Sequence, residues 1–206
     1  MPDVTQALTY SAALAVAAAI PGPGMAALVA RSVSGGAISG LCLLGGLILG
    51  DLAYLSLAVF GLALVAEHFA ALFQLVRWAA ALYLGYLAWR FWTARHDAVE
   101  TGKVEDARAR WAVAISGLTI TLGNPKTIAF YLAILPLVID LQSVSLGVWA
   151  LMLMPLTILV LLAVGGGFVF AAVRMRHLLG SARAQRRVFR GAAVMMVVAA
   201  ASMLVR

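Results

Sequence analysis

The sequence predicts an all-α integral membrane protein: six transmembrane helices arranged as two inverted three-helix repeats. Three observations carry that expectation. Of 206 residues, 64% are hydrophobic and only 11% charged, with a mean hydropathy of +1.02, whereas soluble globular chains are about 45–50% apolar and about 25% charged. Apolar runs long enough to cross roughly 30 Å of hydrocarbon recur along the whole chain. Two of these runs are interrupted by proline and glycine, the first by Pro-Gly-Pro-Gly at 21–24 and the fourth by Gly-Asn-Pro-Lys at 123–126.

The first span, about 5–30, opens on MPDVTQ, which has Asp3 and no Lys or Arg. A signal peptide begins with positive charge, so this segment is expected to stay in the mature chain. The second span covers about 37–63; at and beyond its start Gly36 and Gly40, then Gly46 and Gly50, have the spacing that lets helix backbones approach. The third runs over about 69–92 and the fourth over about 111–136. The fifth, about 146–173, contains Gly165, Gly166 and Gly167, a packing or hinge point. The sixth, about 188–205, is short, with Arg190 at its inner end reaching its long stem toward the headgroups. Six spans leave no room for a soluble domain, so residues 1–206 form one transmembrane domain, with halves at about 1–95 and 108–206 joined by a loop at about 93–110.

The net charge of +7 and pI near 10.3 would suggest nucleic acid in a soluble protein. Here the cations sit between the apolar runs. Arg31 follows the first span, Arg90 to Arg110 the third, and Arg174 to Arg190 the fifth, whereas the opposite loops hold Glu67, His68 and Asp140 without Lys or Arg. Positive loops face the cytoplasm, so both termini are expected outside. The run RRVFR would contact lipid headgroups, and no nucleic-acid partner is expected.

Three charges fall deep within predicted spans: Asp51, Arg77 and Lys126. By residue count each lies about 14–15 positions from the inner end of its span, a common depth at about 1.5 Å per residue. Charges so deep face the protein interior or water and are functional candidates. An Asp51–Arg77 ion pair that only fastens two helices is the alternative.

The two interruptions occupy corresponding first and fourth positions of halves that enter the membrane in opposite directions. That pattern points to a solute site near the midplane, because unwound backbone is tolerated only where it lines protein or water. Other chemistry has less support. Cys42 is the single cysteine, the three histidines are scattered, and no nucleophile has a base beside it; neither an enzyme, a metal site nor a cofactor is expected. A channel, or a structural membrane protein with a buried ion pair, stays open. The glycine pairs would serve a homodimer as well as intrachain packing.

PGPGMAALVARS, LGGLILGD, LVRWAAALYLGYLAWR and GNPKTIAFYLAILP together resemble the lysine exporter (LysE) family, particularly its homoserine/threonine exporter (RhtB) branch, over about residues 10–140. The resemblance implies a bacterial inner-membrane exporter of amino acids or related small metabolites, driven by the proton motive force. Two departures from the family pattern stand out: Gly24 stands where a polar residue such as Asn is common, and Leu137-Val138 where Gln-Phe often follows the proline.

From charge and geometry, Lys126, with the free N–H groups where the fourth helix restarts after Asn124-Pro125, would hold a substrate carboxylate. Asp51 would meet the substrate ammonium or carry the coupling proton. Pro21, Gly22, Pro23 and Gly24 would supply carbonyls and a pivot. With one clear midplane acid, a substrate of no net charge is favoured over lysine or arginine.

Overall fold

A computed structural model describes residues 4–68, 107–141 and 144–175, with single positions between 78 and 93 and between 186 and 201; for 62–68 and 133 it describes backbone alone. The described residues are helical, without strands. Helix α1 spans Val4–Ala19 and α2 spans Pro23–His68. Helix α3 spans Ala107–Leu122. Helix α4 (Pro125–Ala129) continues through a π-helical turn at Phe130–Ile134 into α5 (Leu135–Val138). Helix α6 (Leu146–Val148) passes through a second π turn, Trp149–Leu153, into α7 (Met154–Arg174).

Among the described residues, two helical stretches are long and apolar enough by length and composition to cross a membrane, Pro23–Gly61, which contains a corner, and Leu146–Arg174. A bent pair, Ala107–Leu122 with Pro125–Val138, makes a third if its members form one crossing; the bend is 53°. Helix α1 is apolar but shorter. Leu137, Leu151 and Phe170 are 85, 84 and 72% exposed, as expected of helices whose outer faces meet lipid.

Gly36 divides α2, with φ 78° and ψ −172°, a region essentially reserved for glycine. In a straight helix, residues eight apart are separated by about 12 Å, yet the Arg31 Nε donates to Ser39 Oγ at 2.5 Å. The chain therefore doubles back here, at the boundary expected between the first two spans. Gly36 is a corner, which corrects its reading as half of a packing pair with Gly40.

The Gly46–Gly50 pair does pack. Helix α2 lies chiefly against α3 and α7. A Cβ at Gly46 would collide with the Ala114 carbonyl, and one at Gly117 with the Leu43 carbonyl, so the backbones of α2 and α3 touch where both lack a side chain. Gly165 seats Leu44 on α7, while Gly166 and Gly167 face open space. Buried Tyr10 joins α1 to α7 through a 2.6 Å hydrogen bond to Thr157, whose own hydroxyl donates to the Leu153 carbonyl at 2.7 Å.

Candidate functional site

Proline sets both chain breaks. The residue before a proline avoids helical backbone, and proline has no N–H to give a preceding turn. Helix α1 accordingly ends at Ala19, just before Ile20-Pro21, and α3 ends at Leu122 before Gly123-Asn124-Pro125. Proline suits a first helical position, where its N–H is not missed, and both chains restart on one: Pro23 opens α2 and Pro125 opens α4. The first bonds of the new helices match, Ala26 N–H to Gly22 C=O at 2.9 Å and Ile128 N–H to Asn124 C=O at 3.0 Å.

The ends are satisfied differently. Asn124 caps α4 itself, its Oδ1 accepting from the Lys126 N–H at 3.1 Å, the usual service of an N-cap side chain. Gly22, at the equivalent place before α2, has no side chain. On the other side of each gap the last carbonyls of a helix lack intrahelical donors. Lys126 Nζ supplies them for α1, donating to Ala17 C=O at 2.8 Å and Ile20 C=O at 2.7 Å. The Tyr54 hydroxyl, from α2, donates to Leu122 C=O of α3 at 2.5 Å.

Between the breaks lies a cavity of about 50 Å³. Gly24, Asp51, Asn124 and Lys126 line it, together with Thr121 and Thr127 and an apolar wall that includes Leu47 and Phe130. Asp51 is partly buried and interacts electrostatically with Lys126. The Tyr131 hydroxyl, fully buried, interacts with both Asp51 and Tyr10.

The residues singled out in the sequence thus fall into three groups. Gly24, Asp51, Asn124 and Lys126 share the cavity. Gly22 is beside it, where a Cβ would lie 3.4 Å from Lys126 Nζ; Pro21, Pro23 and Pro125 shape the breaks without lining the space. Arg77 lies outside the described residues, and with it the proposed ion pair. Leu137, exposed at 85%, points away from the cavity, so of the two departures from the family pattern only Gly24 borders it. Sequence reasoning missed Tyr10, Tyr54, Tyr131 and Thr157; aromatic residues in apolar spans read as packing, and their partners are distant in sequence. Among the described residues no cluster of His, Cys, Asp or Glu could hold a metal.

The model of the LysE type translocator family matches residues 15–206. An uncharacterized membrane protein of Synechocystis sp. (strain PCC 6803) is 27% identical over 165 residues, covering 80% of this chain and 78% of that one. A leucine efflux protein of Klebsiella pneumoniae is 28% identical over 179 residues, covering 82% of each. No solved structure matches. With apolar helices, proline-set breaks and a family match over nearly its full length, this multi-pass membrane protein belongs to the LysE type translocators.

Proposed function

We propose that the protein is a secondary active exporter of neutral, apolar amino acids, driven by the proton motive force across the bacterial inner membrane. The observation that carries the proposal is one small cavity, bordered by both chain breaks, that sets Asp51 and Lys126 on an otherwise largely apolar wall. One acid and one base match the two charges of an amino-acid zwitterion, and the apolar wall matches its side chain. The name of the Klebsiella relative, a leucine efflux protein, favours leucine as the first compound to test.

In this reading the chain crosses the membrane six times as two inverted three-helix halves, about 1–95 and 108–206. Both termini are outside and the basic loops are cytoplasmic. The breaks at Pro21–Gly24 and at Asn124-Pro125 are equivalent interruptions of the first and fourth spans.

The mechanism follows from what each group already does. A substrate carboxylate competes for the Lys126 ammonium with the two neutral carbonyls it now serves, and a charged acceptor makes the stronger bond. Winning that competition loosens the end of α1. The cavity at about 50 Å³ has room for little more than water, so this loosening, with Pro21 and Gly22 as pivot, also makes the space for the solute. Asp51 pairs with the substrate ammonium. When the site faces outward, a proton arriving at Asp51 removes the counter-charge and releases the substrate. The return to the cytoplasmic side then carries the proton inward.

Expression in a bacterial host lacking its own leucine exporter tests the reading. Intracellular leucine should fall and tolerance of a toxic leucine analogue should rise, with both effects lost on adding a protonophore or substituting Asp51→Asn. Efflux that persists without the proton gradient would indicate a channel and defeat the coupling proposal.

A further inference from the structure

A second concavity, about 490 Å³, lies remote in sequence from the breaks. One side comes from the third apolar run, with Gly85, Trp89 and Trp92; the other comes from the sixth, with Ala193, Val194 and Val197. On each side these residues recur at helical three- and four-residue spacings, so each helix turns a single face to the trough. Gly85 and Ala193 keep the floor low. Trp89, at 68% exposed, and Val197, at 54%, stand open on its walls.

One end of the trough is charged. The Arg190 guanidinium sits over the Trp92 ring, 5.0 Å from its centroid. That contact engages the cation and leaves its N–H donors for an acceptor. Arg190 precedes Ala193 and Val194 by three and four residues, the spacing of one helix face, and Arg186 precedes Arg190 by four in the sequence. From Trp92, beside Arg190, to Gly85 is seven residues, about 10 Å of trough at about 1.5 Å each.

We infer that this groove binds an anionic phospholipid, with an acyl chain along the Trp89–Val197 trough and its phosphate on Arg190 and Arg186. Guanidinium groups match phosphate geometry through paired N–H donors. Basic pockets between transmembrane helices recognise anionic headgroups, and tryptophan favours the same interfacial depth. A second copy of the chain fits less well. A two-fold axis along the membrane normal keeps each residue level with its copy, which would bring Arg190 of both chains together as like charges. The inference does not depend on the transport reading.

The test uses the full-length protein in vesicles containing phosphatidylglycerol or phosphatidylcholine that bears a photoactivatable group on one acyl chain, with adducts mapped by mass spectrometry. Phosphatidylglycerol should label peptides containing Trp89–Trp92 and Ala193–Val198 at least five-fold more than phosphatidylcholine. The double variant Arg186→Gln/Arg190→Gln should reduce that ratio to below two. Gly85→Leu, at a position where an added Cβ meets nothing within 4 Å, should fill the trough and reduce labelling there by both lipids. Equal labelling of the native protein by the two lipids would overturn the inference. So would a retained ratio in the arginine variant, or unlabelled groove peptides with Val194→Cys forming a disulfide between copies.

Discussion

The two chain breaks have the same backbone plan and opposite dependence. At Gly123-Asn124 the gap is two residues and Asn124 caps the restarting helix from within. At Ile20–Gly22 the gap is three residues and every side chain is apolar or absent, so the carbonyls of α1 are served by Lys126, a residue of the other break. Polarity that could have been shared between the breaks is concentrated in the second. The first is therefore held by its partner, and a ligand that engages Lys126 acts on both at once.

The comparison can be broken most strongly at Lys126. Lys126→Met keeps the stem and removes the donors. Hydrogen bonds to charged groups contribute about 1.5–3 kcal/mol each, and with Ile20 half-exposed the pair is expected to cost about 3 kcal/mol. Hydrogen exchange should rise in peptides covering Val16–Ala26 more than in those covering the mutated helix itself. Equal loosening of both would remove the asymmetry.

Gly50→Ala comes next. Its Cβ would lie 2.5 Å from that of Thr121, one residue before the end of α3, and overpacking of this kind costs about 1–3 kcal/mol. A fall in the melting temperature of detergent-purified protein, with the second break more labile than the first, is the expected signature. Tyr54→Phe removes only one neutral hydrogen bond, to Leu122 C=O, and should cost about 1 kcal/mol in the same melting measurement. Gly22→Asn has the smallest expected effect. It gives the first break the cap that the second has, in ordinary contact with Lys126 Nζ at 3.4 Å. A gain of a few tenths of a kcal/mol follows from the small difference between Asn and Gly at N-caps, and an equilibrium unfolding curve would resolve its sign.

Much of this architecture was legible in the residues. The fifth apolar run, read as about 146–173, is helical over Leu146–Arg174. The spacing of Gly46 and Gly50 signalled a close helix crossing, because small residues in an apolar run have few other uses. Deep charge and proline pointed to Gly24, Asp51, Asn124 and Lys126 as one neighbourhood. What stayed hidden depends on tertiary pairing. That Lys126 serves the carbonyls of α1 involves residues more than 100 positions apart, as does the Tyr10–Thr157 bond. Gly36 misled for a local reason: the same residue type permits both close packing and a positive φ, and spacing alone does not separate them.

The most direct test of the central claim, that the two breaks form one proton-coupled amino-acid site, is leucine efflux from proteoliposomes under an imposed proton gradient. The native chain is compared with Asp51→Asn and Lys126→Met at matched folded yield. Gradient-dependent efflux by the native chain is expected, with both variants reduced at least ten-fold. Native-level, gradient-driven efflux by both folded variants would contradict it.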